Sequence, residues 1–295
     1  MRFALVACRP TPTNEALAAV GSGDVRWEPM TPHEALDVLR PGDVALGRLD
    51  VLPTLDGVDD GLWALGTLAA RGVVVLNEPA ALIAAHDKLL TARLLRRHEV
   101  PHPHTWHVRN GRPAPRWPRP VVLKPRFGSW GLEVHRCDDP SALQAALAGV
   151  RHSDWYLRHG AIVQELVPPQ GYDLRVLVAG GRVVGAAYRV AARGEWRTNI
   201  SLGGVRRPVS EPPREAAALA IEATRVIGAA LVGVDLLPDG RGGWVVAELN
   251  GAVEFTDEYA PWQNVFAETS SALVREALER STSSTTAVPL ALPEP

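Results

Sequence analysis

Apolar runs of four to six residues, separated by stretches with helical spacing, open the chain. Residues 3–8 form an unbroken apolar run that reads as a buried strand, residues 14–20 as a helix and residues 25–30 as a second strand. Thr31 and Pro32 supply an N-cap and a first-turn proline for a helix ending near Leu39. Residues 43–46 read as a strand, 57–70 as a helix and 73–76 as a fourth strand. Strands that alternate with helices imply a parallel sheet.

A helical pattern follows over residues 77–99, with a break near His86 and Asp87, where Asp87 is a candidate N-cap. Pro101 and Pro103 end it. Residues 104–160 then read as a strand, a Pro-rich connection, the strand carrying Lys124, a glycine loop, a returning strand at Leu132–His135 and a helix over 141–149. Residues 162–167 form a strand that runs into Pro168 and Pro169, a hinge-like break. Beyond it, strands at 173–179 and 182–190 are joined by Gly180 and Gly181, a two-residue hairpin signal. A long alanine-rich helix (211–229), a hairpin (231–250) and a last helix (about 262–280) complete the pattern, and the Ser/Thr/Pro-rich tail from Ser281 reads as disordered. The expected lobes are 1–78, 79–167 and 168–280, with the tail at 281–295.

Two segments carry chemistry. In Val122-Leu-Lys124-Pro-Arg126-Phe-Gly128-Ser129-Trp130-Gly131 an apolar strand delivers a lysine to a loop with paired glycines. Glycine lets backbone N–H groups close on an anion and the ammonium adds charge, so the segment suits the phosphates of a nucleotide. An ordinary structural hairpin would read the same way. Asp235 interrupts the apolar strand 231–237, and after the turn at Pro238-Asp239-Gly240 the strand 244–250 places Glu248 and Asn250 on one face. Carboxylates in apolar strands are costly unless paired or ligating a cation, and two carboxylates with an amide oxygen suit Mg²⁺. A solvated hairpin face is the alternative.

Composition narrows the function classes. The chain has 295 residues, 46% hydrophobic and 22% charged, as in globular proteins with two or three lobes. A net charge of −2 argues against a nucleic-acid binder driven by bulk charge, although Arg193, Arg197, Arg206 and Arg207 could attract an acidic substrate. Cys8 and Cys137 stand far apart, which suits a reducing, cytoplasmic setting better than a disulfide scaffold. No secretory apolar segment follows Met1 and no run is long enough to span a bilayer, so no membrane role is expected. The histidines at 86, 98, 102, 104 and 107 match no zinc spacing and read as a solvated loop.

The order of these features resembles the ATP-grasp superfamily, and within it the RimK/LysX group of carboxylate–amine (α-L-glutamate) ligases. Residues 73–280 carry the likeness: Asn77 with Asp87-Lys88, Lys124-Pro with Gly128-Ser-Trp-Gly131, Gln164-Glu165, Gly171-Tyr-Asp173-Leu-Arg175, Trp196-Arg197-Thr198-Asn199, Gly233-Val-Asp235 and Glu248-Leu-Asn250. The resemblance implies an α/β (α+β) ATP-grasp fold, with an N-terminal substrate-side lobe, a small central lobe and a C-terminal lobe, and a nucleotide between the last two. It implies ATP and Mg²⁺ (or Mn²⁺) as cofactors. Lys88, Lys124, Gly128, Ser129, Trp130 and Gly131 would meet phosphates, Glu165 and Leu166 the adenine, Asp173 the ribose, and Arg197, Thr198 and Asn199 the phosphoryl side. Asp235, Glu248 and Asn250 would hold the metal, and Arg175, Arg189 and Arg197 would stabilise the charge that develops in catalysis.

The activity so implied is amide-bond formation through an acyl phosphate, joining glutamate or another amino acid to a peptide, carrier protein or small amine. Another acid–amine pairing, as in dipeptide or natural-product ligases, and a synapsin-like ATP-binding protein without catalysis remain open. So does a homo-oligomeric state. After Asn250 the chain reads Gly-Ala-Val-Glu254-Phe, where RimK continues Ser-Pro-Gly and LysX has His-Thr-Met before Glu-Phe; this segment should border the acceptor site. Arg48 and Asp50 are further substrate-side candidates in the N-terminal lobe.

Overall fold

The computed structural model describes residues 1–109 and 119–285. The Pro-rich connection and the end of the tail lie outside the described residues. The first sheet holds β1 (Phe3–Val6), β2 (Trp27–Met30), β3 (Val44–Gly47) and β4 (Val74–Leu76) in the order β2-β1-β3-β4, with every pairing parallel. The crossovers contain α1 (Pro12–Val20), α2 (Pro32–Val38) and α3 (Leu62–Ala70). Thr31 caps α2 through a capping box with Glu34, and Pro32 occupies the first turn. Because β2 and β3 lie on opposite sides of β1, the chain reverses direction between β1 and β3, and the crevice at the carboxyl ends of those strands is a switch point.

Two helices, α4 (Pro79–His86) and α5 (Lys88–Arg97), join this sheet to the next. They break at Asp87, whose carboxylate accepts the Leu89 and Leu90 N–H groups as N-cap of α5. The second sheet, ordered β5-β8-β6-β7, contains β5 (Thr105–Val108), β6 (Val121–Pro125), β7 (His135–Cys137) and β8 (Ala161–Glu165), with α6 (Pro140–Val150) and α7 (Asp154–His159) between β7 and β8. The third sheet is five-stranded and antiparallel, ordered β11-β10-β9-β12-β13. Its strands are β9 (Tyr172–Ala179), β10 (Arg182–Val190), β11 (Val205–Pro208), β12 (Leu231–Pro238) and β13 (Trp244–Asn250). Helix α8 (Arg214–Ile227) crosses one face, and α9 (Val265–Thr285) ends the described chain.

Alternation along β9 sorts the core. Leu174, Val176 and Val178 pack with α4, α5 and α8, whereas Leu177 and Ala179 pack on the other face with Phe3, Leu5, Trp27 and Leu273. The first and third sheets therefore share one apolar core, and the Trp27 indole N–H donates to Ser270 Oγ at 2.8 Å inside it.

Several expectations need correction. Leu132–Val134 are not a strand: the return strand β7 starts only at His135, because Gly128, Trp130, Gly131 and Glu133 all take positive φ. The helix expected over 57–70 begins at Leu62, since an isolated bridge between Val51 and Val58 and a left-handed Leu55 hold the preceding residues in a loop. Helix α9 continues to Thr285, so the first residues of the expected tail are helical. Helix α7 and strand β11 were not foreseen. His86 is buried rather than solvated, with Nε2 3.1 Å from the Leu49 carbonyl, and burial lowers its pKa to about 4.

Asn77 ties these layers together. It sits at φ 56 after β4, a conformation that asparagine tolerates better than most residues. Its amide oxygen accepts from the Ala230 and Leu231 N–H groups (2.8 and 3.0 Å), and its nitrogen donates to the Leu231 and Gly251 carbonyls (2.8 and 3.2 Å). Asn77→Ala strands these buried backbone groups, and an unmade buried hydrogen bond costs about 1–3 kcal/mol. The expected result is a loss of roughly 2–4 kcal/mol in urea unfolding. A loss below about 1 kcal/mol would show that the layers do not depend on this amide.

Candidate active site

Between the second and third sheets lies a cleft of about 1070 Å³, counted to its open mouth. Strand β6 carries Lys124 into it, 9% exposed, and burial first of all lowers the ammonium pKa to about 8, against the opposing pull of Glu248. Lys88, the first residue of α5, reaches the same space, where its Nζ donates to the Gly128 carbonyl and lies 2.9 Å from Glu248 Oε1. Besides capping α5, the Asp87 carboxylate accepts Nε of Arg126 at 2.7 Å in a two-pronged pair. One buried carboxylate thus anchors both the helix that presents Lys88 and the start of the glycine loop.

The loop itself is pinned to the segment between β10 and β11. Arg197 donates to the Gly131 carbonyl at 3.1 Å and Ser201 Oγ to the Trp130 carbonyl at 3.0 Å. Gly131, at φ 73, leaves no room for a Cβ, which would stand 2.9 Å from Asn199 Oδ1. Trp130 projects outward and is 65% exposed. Of the residues expected around a nucleotide, Lys88, Lys124, Gly128, Ser129, Gly131, Glu165, Leu166, Asp173, Arg197, Thr198 and Asn199 all line this cleft. Trp130 does not; it lines a neighbouring cavity. At the hinge the Leu166 N–H is already bonded to the Pro120 carbonyl, and the Glu165 carboxylate turns to Arg119 at 3.0 Å.

Strand register assembles a charged face on the third sheet. Arg189 of β10 stands opposite Asp173 of β9, Arg175 of β9 opposite Asp235 of β12, and Asp235 opposite Glu248 of β13. Arg189 Nε donates to Asp173 Oδ1 at 2.8 Å in a paired contact and reaches Asp235 Oδ2 at 2.9 Å. Arg175 grips Asp235 through both nitrogens at 2.6 and 2.7 Å. Thr198 adds its hydroxyl to Asp173. Burial alone would lower the Arg189 pKa, but Asp235 and Asp173 outweigh it and hold the guanidinium charged. Burial would likewise raise the Glu248 pKa, and Lys88 and Lys124 reverse that sign. Asp173 is therefore the buried partner of an arginine, not the cap of a turn.

The expected metal ligands Asp235, Glu248 and Asn250 all offer hard oxygen donors. Asp235 and Glu248 are cross-strand neighbours and Glu248 shares a face with Asn250, so hard oxygens converge at one strand end. Among the described residues the buried Asn250 amide nitrogen has no hydrogen-bond partner, which leaves that amide uncommitted. Glu248 is ion-paired with Lys88, with Lys124 acting on it as well, and a lysine readily exchanges carboxylate for phosphate. Asp235 differs, because both its oxygens are held by arginines. The set fits a hard divalent cation at Glu248 and Asn250, with Asp235 joining only through an exchange of partners.

A second cavity of about 1030 Å³ adjoins the first, and Ser129, Arg189 and Asn199 line both. Asn250 and Arg175 face this side, together with Asp50, Arg206, Glu254 and Tyr259. Trp196 and Tyr172, which line the first cleft, were not assigned a role from sequence, and Arg206 was seen only as part of a basic cluster. An arginine alternating with exposed positions on the short strand β11 was the one available signal for it, and that strand was itself missed.

No helix among the described residues is long and apolar enough to cross a membrane. A family model described as RimK-like ATP-grasp domain matches residues 85–260. The alpha-aminoadipate–LysW ligase LysX of Saccharolobus solfataricus is 32% identical over 190 residues, covering 62% of this chain and 68% of that one. The tetrahydromethanopterin:alpha-L-glutamate ligase of Methanosarcina acetivorans is 30% identical over 231 residues, covering 69% and 68%. The crystal structure of a RimK-domain ATP-grasp protein from Sphaerobacter thermophilus superposes with a TM-score of 0.64 at 22% identity, covering 92% of this chain and 99% of that one, which speaks for the fold. Ligases of this family use ATP and a divalent metal ion. With its paired lysines, glycine loop and carboxylate hairpin in family order, the chain belongs to the RimK-like ATP-grasp domain family and is a carboxylate–amine ligase of that family.

Proposed function

We propose that the first cleft binds ATP with its phosphates toward Lys88, Lys124 and the glycine loop, and that the second cavity receives the substrates. The observation that carries this reading is the meeting of the two cavities at Ser129, Arg189 and Asn199, beside the charged end of the β12–β13 hairpin. A substrate carboxylate arriving from the second cavity can attack the terminal phosphate there, breaking its bond to the β-phosphate so that ADP leaves and an acyl phosphate forms. An amine then displaces the phosphate and an amide forms. Phosphoryl transfer needs positioning and charge neutralisation more than covalent help, which suits a site of lysines and arginines. A divalent ion held by Glu248 and Asn250 would neutralise charge on the transferred group. Arg175 and Arg189, fixed by Asp235 and Asp173, would stabilise the oxyanion formed on amine attack. The donor is proposed to be glutamate or a glutamate-like carboxylate, on a small molecule or a peptide end.

The direct test is ADP release screened over carboxylates and amines, carrier proteins included, with Mg²⁺ or Mn²⁺. Release that needs both an acid and an amine supports the ligase; release indifferent to the amine would contradict it. Glu248→Gln keeps the shape but removes a charged ligand, so turnover should fall about 100-fold or more while thermal stability stays near wild type. Wild-type turnover at ordinary Mg²⁺ would remove Glu248 from the metal site. For the loop, Gly131→Val both strains φ and collides with Asn199. Weaker ATP binding by calorimetry is expected, together with faster tryptic cleavage at Arg126 in the presence of ATP and Mg²⁺. Unchanged nucleotide affinity with a large loss of global stability would instead mark the loop as structural.

A further inference from the structure

The loop between β3 and α3 does not stay with the first sheet. Its foot is fixed there: the Asp50 N–H donates to Asp59 Oδ2 (3.0 Å), the Asp59 N–H to the Asp50 carbonyl (2.7 Å), and Val51 and Val58 form a bridge. Within it the Leu52 N–H donates to the Gly57 carbonyl and the Leu55 N–H to the Leu52 carbonyl, at 2.9 Å each, so residues 51–58 make a tight strap. At its tip Leu55, 8% exposed, packs into the core of the second sheet with Val108, Leu123, Ala161 and Val163. Asp56 pairs with Arg158 at 2.7 Å, and its carbonyl accepts from His159 Nε2 at 2.7 Å. Leu55 holds φ 64, a left-handed conformation that is strained for a residue of this size and persists only where the surroundings enforce it.

That tip lies against the base of the glycine loop. A Cβ on Gly128 would stand 3.3 Å from Leu55 Cδ2 and 3.5 Å from Pro125 Cβ, so the base rests against the strap as well as against the end of β6. Phe127, one residue earlier, meets His159 edge-on with ring centroids 5.1 Å apart, and His159 is the residue that holds Asp56. The rest of the loop is tied elsewhere: Arg197 and Ser201 hold the Gly131 and Trp130 carbonyls from the segment between β10 and β11. Base and tip therefore have different supports, a buried leucine beside one and rim hydrogen bonds on the other. A segment supported in this way can swing at its tip about a base that stays in place.

We infer, on the reading of the first cleft as the ATP site, that Leu55 is a positioning residue for nucleotide binding. Carried across from the first sheet, it fixes the base of the glycine loop at Gly128, and the rest of the loop closes over the phosphates about that point. Because Asp50 lines the second cavity and Gly128 the first, the same strap also sets the spacing between the two. With the Leu55 side chain cut back, the loop base loses its fixed place and the closed form is less populated. The apparent affinity for ATP then falls in proportion to that population.

The test uses the full chain with ATP and Mg²⁺ and compares wild type with Leu55→Ala, Leu55→Met, His159→Ala and Leu143→Ala. Leu143, 2% exposed, belongs to the same core on α6, so its truncation costs stability of the same kind without touching the strap. Calorimetry gives the ATP Kd and the binding-competent fraction, thermal unfolding the stability, and trypsin the cleavage rate at Arg126. Leu55→Ala should raise the ATP Kd about fivefold or more and largely abolish the protection of Arg126 by nucleotide. Leu55→Met keeps the volume and should return both toward wild type, and His159→Ala should shift both in the direction of Leu55→Ala. Leu143→Ala should lose stability at an unchanged Kd. A merely structural Leu55 would behave as Leu143 does, with stability lost and the Kd unmoved, and that result overturns the inference. Should Leu55→Ala fail to fold, His159→Ala decides, and a wild-type Kd there overturns it. Wild type that binds no ATP would remove the reading of the cleft and the inference with it, whereas wild-type binding with an unchanged Kd in Leu55→Ala removes the inference alone.

Discussion

The cross-strand ion pairs on one face of the third sheet constrain everything around them. Asp173, Arg189 and Asp235 are buried, Arg175 is partly buried, and the four are joined by hydrogen bonds across β9, β10 and β12. Charges in that position are tolerated only as a complete set, since removing one member of a buried pair costs about 3–5 kcal/mol. The same face carries Glu248 and Asn250 to the strand end where the two cavities meet. Register thus also sets the geometry of the cleft: a slip of one residue along β9 would turn Asp173 and Arg175 into the apolar layer against α8 and send Leu174 and Val176 into the cleft.

Around this rigid face, the parts that must meet small molecules hang on fewer supports. The glycine loop leaves β6 beside Lys124 and is held by Arg197, Ser201 and, through Lys88, by the Gly128 carbonyl. These are side-chain to backbone contacts at the rim, weaker in sum than a strand ladder, and four positive-φ residues keep the loop out of the sheet. Opening and closing such a segment needs no change in the buried core. The first sheet, by contrast, shares its core with the third through Phe3, Leu5, Trp27 and Leu177, and is further fixed by Asn77 and Glu254. Its switch-point crevice therefore faces the cavity in a set orientation, with Asp50 in the cavity wall.

Charge distribution separates the two cavities. The first holds Lys88 and Lys124, compact charges suited to phosphate, beside Arg189 and Arg197, and the Glu248 carboxylate is neutralised by the two lysines. Arginines dominate the second, and most are already locked into forks with carboxylates, so their field is fixed before any substrate enters.

Much of this was legible in the chain. Alternation along β9, β10, β12 and β13, the Gly180-Gly181 turn, the break at Asp87 and the order of lysine, glycine loop and carboxylate hairpin are local signals, because period, capping and turn chemistry act over a few residues. Membership of the ATP-grasp fold followed from that order. Tertiary structure decided the rest. Spacing could show that Asp235 needs a partner, but only sheet register could supply Arg175 and Arg189 as its neighbours. Nothing local distinguishes Asp50 from Glu254. Both are isolated carboxylates in sequence, yet Glu254 is bonded to Thr11 and Arg48, more than 200 positions away, whereas Asp50 has Arg9 at 3.9 Å. Long-range packing determines which charges are spent on the fold and which are left for substrate, and a sequence pattern has no term for that.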